Sequence, residues 1–328
     1  MKIEQFESIV ARIPDFVSDK NGIQIKHKTL GAFAFGEICR RNELEWERPL
    51  NLLPSHPIWQ ALFYAALAQH KKSKVCVVVG APKSIVAAFN DLLPIGETEL
   101  ALPGEQRFLV NVTQAIAVPE CAGHALAYQQ VLGTHCVVIS VGFGTVELGA
   151  ATKEGIIERS LESINYGIHR AAILFRKKSI ALGYDNPNVL PEQYHYWDNV
   201  MLRVYQKDEN LILQHEGKIF EWVDLYDAAI EALTEYSHGL VQQMKAYFAR
   251  FTDRMPVILT GGGVNFSPVN ETLSAYFVSR KMEVQVAPPE ISLVSAATGY
   301  RIIGQKLFGD AAIGIDIGNH NIVTLVDS

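Results

Sequence analysis

The chain has 328 residues, 48% of them hydrophobic and 20% charged, which excludes a disordered or fibrous protein and suffices for about two domains with cores of their own. With 29 Lys and Arg against 35 Asp and Glu the formal net charge is −6, the wrong sign for a surface that grips nucleic-acid backbones throughout. No apolar run reaches the roughly 18–20 residues that span a bilayer, and the opening MKIEQFESIV lacks the basic and apolar regions of an export signal, so a cytoplasmic protein is expected.

In chain order, strands are expected at Glu7–Ile13, Val75–Gly80, Cys136–Val141, Val146–Thr152, Val257–Thr260, Val284–Ala287, Ile313–Ile317 and Ile322–Val326. They alternate with helical stretches, the pattern of an α/β fold. Several are runs of Val and Ile without polar alternation, which predicts burial on both faces. A long helix is expected in EWVDLYDAAIEALTEYSHGLVQQMKAYFARF, where Val223, Tyr226, Ile230, Leu233, Leu240, Met244 and Phe248 recur at helical spacing and form a core stripe. Between about 183 and 217 the mixed, aromatic and charged sequence reads as an insertion with loops and a small subdomain. Cys39, Cys76, Cys121 and Cys136 are scattered beside apolar residues, as buried free thiols would be, and the dispersed histidines form no metal-ligand pattern.

Four segments carry chemistry. In AIGIDIGNHNIVTLVDS a strand ends at Asp316, a turn follows through Gly318, Asn319, His320 and Asn321, and a second strand begins at Ile322. Gly318 would let the backbone approach a phosphate, the turn could form an anion nest, and Asp316 could hold a divalent cation through water. An ordinary Gly/Asn hairpin reads equally well. CVVISVGFGTVELGAAT repeats the design, with Gly142, Gly144 and Thr145 between two strands. In VILTGGGVNFS a strand runs into Gly261, Gly262 and Gly263. Three glycines cost backbone entropy without packing, which points to close ligand approach, a bare strand-helix turn being the alternative. Finally, Gly123 and Ala127 in AVPECAGHALAY, and Ser295 and Gly299 in PPEISLVSAATGYRIIG, stand four apart. They give two helices small-residue stripes on which to cross closely. Glu120, at the start of the first helix, is favoured there by the helix dipole.

Together these segments resemble the nucleotide-binding core of the actin, sugar-kinase and DnaK-type chaperone superfamily, and within it the bacterial actin-like proteins of the ParM type. DIGNHN at 316–321 resembles the first phosphate loop, SVGFGTVEL at 140–148 the second and TGGGVNF at 260–266 the adenosine loop. VPECAGHALAY and PEISLVSAATGY resemble the two interdomain connections, and ESIVARIPD, GAFAFGEICRR and CVVVGAPKSI resemble domain I in order. The resemblance implies two actin-like (ribonuclease H-like) α/β domains around a nucleotide cleft. Domain I would be 1–128 with 309–328 and domain II 129–308, with a helical or irregular insertion near 183–217 and a final helix returning toward domain I. It implies ATP or GTP with Mg²⁺, Asp316 toward the metal, the three loops around the nucleotide, and Glu120 orienting the attacking water. It further implies self-assembly into filaments that segregate a plasmid or other DNA, with the DNA held by an adaptor protein.

The sequence departs from the family in two ways. The phosphate hairpin that opens other members closes this chain, so the sequence reads as a circular permutation with 308–312 as the joint. The strands at 313–317, 322–326 and 7–13 should then be consecutive neighbours, with Met1 and Ser328 close together. Ser140 stands where the second phosphate loop begins with an acid, and Glu147 is either structural or compensating. A scaffold that binds nucleotide but hydrolyses slowly or not at all is the alternative function. A small-molecule kinase of the same superfamily is a third, against which stands the absence of an acceptor-activating carboxylate at Ser140.

Overall fold

The computed structural model describes residues 2–19, 22–47, 52–104, 106–186, 189, 194–249, 255–318 and 321–326. The chain opens with strands β1 (Lys2–Glu7), β2 (Val10–Ile13), β3 (Ile23–His27) and β4 (Gly31–Phe35). Helices α1 (Glu37–Arg41) and α2 (Pro57–Ala68) follow, then β5 (Lys74–Ala81), α3 (Val86–Leu92), β6 (Gly96–Leu102), β7 (Gln106–Pro119) and α4 (Glu120–Leu132). Four strands come next, β8 (Cys136–Val141), β9 (Val146–Thr152), β10 (Gly155–Ile156) and β11 (Glu162–Ile164), before α5 (His169–Ala181) and α6 (Tyr194–Tyr205). The remainder is β12 (Leu213–His215), β13 (Lys218–Phe220), α7 (Trp222–Phe248), β14 (Val257–Thr260), α8 (Ser267–Ser279), β15 (Val284–Val286), α9 (Pro289–Phe308), β16 (Ala312–Ile317) and β17 (Asn321–Val326).

The chain divides into two compact units, 1–138 with 147–163 and 290–328, and 139–146 with 164–289. The first unit therefore takes in α9 and the β9–β11 segment, beyond the 128 and 309 boundaries expected from sequence. The reason is close packing: a Cβ on Gly299 of α9 would stand 1.9 Å from the Gly123 carbonyl of α4, and one on Gly149 of β9 would stand 3.0 Å from the Cys121 carbonyl.

Unit 1 is built on a nine-stranded sheet in the order β1-β17-β16-β5-β7-β6-β3-β4-β2. Its centre is parallel, β16 beside β5 and β5 beside β7. Alternation along the central strands sends successive side chains to opposite faces. Val77 and Val79 pack in the cluster of α2, with Trp59 and Phe63, while Val78 packs with Ala296 and Tyr300 of α9. The unpatterned valine-rich run of β5 is thus buried on both faces. Helix α2 starts where Pro57 fixes the first turn and the His56 ring accepts from the Ile58 amide.

The expected strand Glu7–Ile13 is two strands. Lys2–Glu7 pairs antiparallel with β17, Lys2 opposite Val326 and Glu7 opposite Asn321. Val10–Ile13 pairs instead with β4. Only Ser8 and Ile9 separate the two, yet they stand at opposite ends of the strand order, so the sheet curls on itself. The neighbour of β17 is thus β1 rather than 7–13, and Met1 and Ser328 lie outside the described residues. Sequence reading also missed β3, β4 and β6, which pair antiparallel beyond β7, and β7 itself, which pairs in parallel with β5 and antiparallel with β6.

In unit 2, β14 and β15 pair in parallel, and β12 and β13 form a hairpin. Where a helical or irregular insertion near 183–217 was expected, α6 and strand β12 stand, and β13 follows directly. Helix α7 starts with a reciprocal capping box between Glu221 and Asp224. Its buried stripe includes Leu225, Leu233, Tyr236, Leu240, Met244 and Phe248. Val223 is 58% exposed because the packed face begins only at Leu225, and Tyr226 and Ile230 are half-buried. Cys39, Cys121 and Cys136 are buried free thiols, whereas Cys76 is half-buried. No helix among the described residues is long and apolar enough to cross a membrane.

Candidate functional site

In unit 1 the parallel strands β16, β5 and β7 end side by side. Ile315 pairs with Val79, Val79 with Ala117 and Ala81 with Pro119. Asp316, Gly80 and Glu120 therefore stand at the carboxyl ends of three neighbouring strands, the position at which open α/β sheets bind ligands. Gly314 shares a face of β16 with Asp316 and is pressed by α9, since a Cβ there would meet the Ala297 carbonyl at 2.3 Å.

Glu120 is the first residue of α4, immediately after β7, with Pro119 at the cap. Burial, then the charges of Glu147 and Asp316, hold its carboxyl well above the usual carboxylate range despite the helix N-terminus. Burial alone raises Asp316 to about 7. Glu147, on β9, is 3% exposed, and its Oε2 accepts from the Ser163 hydroxyl at 2.6 Å. Tyr300 closes the group: its hydroxyl donates to the Glu120 carbonyl at 3.5 Å. A Cβ on Gly80 would lie 2.0 Å from that hydroxyl oxygen and 3.0 Å from Glu120 Cγ. Gly80 thus makes room for both side chains. Beside it, a ring nitrogen of His124 (Nδ1) and the Ser295 hydroxyl bond at 2.8 Å, tying α4 to α9 where Gly123 and Gly299 cross. The two small-residue stripes read from sequence do meet.

Asn321 opens β17, and the Gly318 amide donates to its carbonyl at 3.0 Å. The buried Ser8 hydroxyl donates to the Gly318 carbonyl, so the turn is anchored from β1. Asn319 and His320 lie outside the described residues.

Unit 2 carries the other candidates. Ser140 is buried on β8, and the Gly142 amide donates to the Thr145 carbonyl at 2.9 Å, closing the glycine turn. The carbonyls of Gly142, Phe143 and Gly144 accept from the amides of Ile168, His169 and Gly167, which pins the turn to the start of α5. A Cβ on Gly167 would meet the Phe143 carbonyl at 2.1 Å, a requirement invisible in the sequence because its partner is 24 positions away. In the triple glycine the positions differ. Gly261 has φ +87° and would meet the Val141 carbonyl at 2.5 Å, and Gly263 would meet Val141 Cγ1 at 2.3 Å. Close packing on Val141 explains these two, against the expectation that the run contributes nothing to packing. Only at Gly262 would a Cβ meet nothing within 4 Å.

No group of three His, Cys, Asp or Glu side chains among the described residues is placed to hold a metal ion. Asp316 nonetheless suits Mg²⁺, a cation that keeps several waters and takes one or two carboxylates together with substrate phosphates. Its half-buried carboxyl, raised by desolvation, would be relieved by such a charge.

Sequence reading singled out Glu120 and Asp316 but not Gly80, Tyr300 or Ser163. The glycine at the end of the valine-rich run KVCVVVG was the one local sign of the first. Nothing local marked the other two.

No protein-family model matches the chain, and no curated protein does. Solved structures do. An archaeal actin homolog, Ta0583, is similar with a TM-score of 0.66 and 18% identity, over 92% of each chain. The same protein in complex with ADP gives 0.60 and 18%, over 86% of this chain and 91% of that one. A non-polymerisable quadruple mutant of pCBH ParM gives 0.64 and 17%, over 92% of each. The protein has the two-domain α/β fold of these actin homologs.

Proposed function

We propose that the chain is an actin-like ATPase that binds ATP or GTP with Mg²⁺ and assembles into filaments. The observation that supports this best is the set of carboxyl groups at the ends of the parallel strands in an actin-like fold, with Glu120 first in its helix and Asp316 next to a glycine turn. Asp316 would hold the metal through water. The resemblance assigns Gly318, Asn319, His320 and Asn321 to a first phosphate loop, Ser140, Gly142, Gly144 and Thr145 to a second, and Gly261, Gly262 and Gly263 to a nucleoside loop. When bound, the metal supplies charge neutralisation on the phosphate oxygens. Glu120 orients the attacking water and accepts its proton, which requires the carboxylate form. Burial and two neighbouring acids raise its proton affinity, which strengthens the carboxylate as a base and opposes ionisation of the free carboxyl.

Filament assembly, DNA segregation through an adaptor and a cytoplasmic site of action follow from the resemblance to ParM. The pairing of β1 with β17 supports a circularly permuted strand order, because Lys2 and Val326 are cross-strand partners, about 5 Å apart. A chain opened at 308–312 and joined from 326 to 2 by a short loop should keep the fold and the affinity. The buried hydroxyl of Ser140, where the family has an acid, favours the second reading, a nucleotide-binding scaffold with slow or no hydrolysis. Phosphate release and light scattering measured at rising protein concentration separate them. Turnover with a critical concentration supports the filament-forming ATPase, and binding without either supports the scaffold.

A further inference from the structure

Glu147 is an expensive residue to place where it stands. Its neighbours Val146 and Leu148 are fully buried, and Glu147 itself is 3% exposed. A buried acid of this kind costs stability that an apolar side chain would not. Glu147 shares a face of β9 with Gly149, which packs on Cys121, the residue after Glu120. Its orientation is set by a directed pair of hydrogen bonds. The Lys83 backbone N–H donates to Ser163 Oγ at 2.9 Å, and the Ser163 hydroxyl donates its single proton to Glu147 Oε2 at 2.6 Å. Both donors are held in turn. The Lys83 ammonium donates to the Leu161 carbonyl, and the Ala150 amide donates to Ser160 Oγ at 2.8 Å. The segment carrying Ser163 is thereby fixed to β9 and to the end of β5.

We propose that Ser163 is a positioning residue that holds the Glu147 carboxylate beside Glu120, so that the two acids act on one attacking water. The inference rests on the ATPase reading above and names the second acid of that site. It also gives Glu147 the compensating role that the replacement at Ser140 leaves open.

The test compares wild type, Ser163→Ala and Ser163→Thr by nucleotide affinity and single-turnover hydrolysis. Ser163→Ala should lower the hydrolysis rate by about ten- to a hundredfold, with the nucleotide Kd within about twofold of wild type. Ser163→Thr, which keeps the hydroxyl, should recover most of the rate. An unchanged rate in Ser163→Ala, or equal losses in both variants with weakened binding, overturns the proposal and leaves Ser163 a packing residue. Wild-type protein that binds nucleotide without hydrolysing it overturns this proposal and the ATPase reading together, whereas normal wild-type turnover with an unaffected Ser163→Ala overturns the proposal alone.

Discussion

A Cβ on Gly299 would lie 1.9 Å from the carbonyl oxygen of Gly123, a backbone contact that no rotamer change can relieve. The crossing of α4 and α9 depends on it, and the crossing places Tyr300 against Glu120. Gly299→Ala should therefore destabilise the protein by about 1–3 kcal/mol, read by urea unfolding. Gly262→Ala, where a Cβ meets nothing, should stay within about 0.5 kcal/mol of wild type. Equal stabilities would refute the close crossing.

His124 makes this crossing sensitive to pH. Burial lowers its pKa from 6.5 to about 4, so the unfolded chain takes up a proton that the folded one refuses as pH falls through that window. A depressed folded-state pKa means stability is held above pH 6.5 and lost toward pH 4, by up to about 3 kcal/mol. His70, also lowered to about 4 mainly by burial, adds a loss of the same sign. Measured between pH 7 and 4.5, the stability of wild type should fall relative to that of His124→Asn as pH drops, while His70 and the raised Asp316 and Glu120 carboxyls, the last two of opposite sign, act alike in both proteins. An identical slope would show that His124 is not the sensor.

Asp316→Asn should fold and lose Mg²⁺-dependent nucleotide binding, since it keeps the shape and removes the charge. A fluorescent-nucleotide titration with and without Mg²⁺ checks this. Wild-type affinity in both conditions would remove Asp316 from the site.

Gly262→Val tests the third loop without disturbing packing, unlike changes at Gly261 or Gly263, which crowd Val141. The variant should unfold like wild type and bind nucleotide at least tenfold more weakly, roughly the effect of a lost or blocked contact of 1.4 kcal/mol. Normal binding would reduce the triple glycine to a turn.

For Glu120→Gln, binding should persist while hydrolysis falls by about 10²–10⁴-fold, the usual contribution of a positioned base. If filaments form, they should last longer. Unaltered turnover would return Glu120 to a helix-start acid favoured by the dipole alone.

The strands β8, β9 and β14, the long α7, the Pro-Glu start of α4 and the pairing of two small-residue stripes were legible in the amino-acid order. Each is written in local terms: apolar runs, helical periodicity, glycine spacing. It also determined Asp316 and Glu120 as candidates, because both lie at junctions where a strand gives way to a turn or helix. Tertiary structure decided the rest. The expected strand 7–13 is cut at Ser8 and Ile9: Glu7 ends the strand that pairs with β17, and 10–13 pair with β4, neither partner being nearby in sequence. Gly80, Gly167 and Gly261 are glycines because of Tyr300, Phe143 and Val141, contacts across long separations. The raised proton affinity of Glu120 exists only once burial and the acids of β9 and β16 surround it. Periodicity reports which face of an element is apolar; which partner meets that face, and what charge the meeting buries, is fixed only when the chain folds.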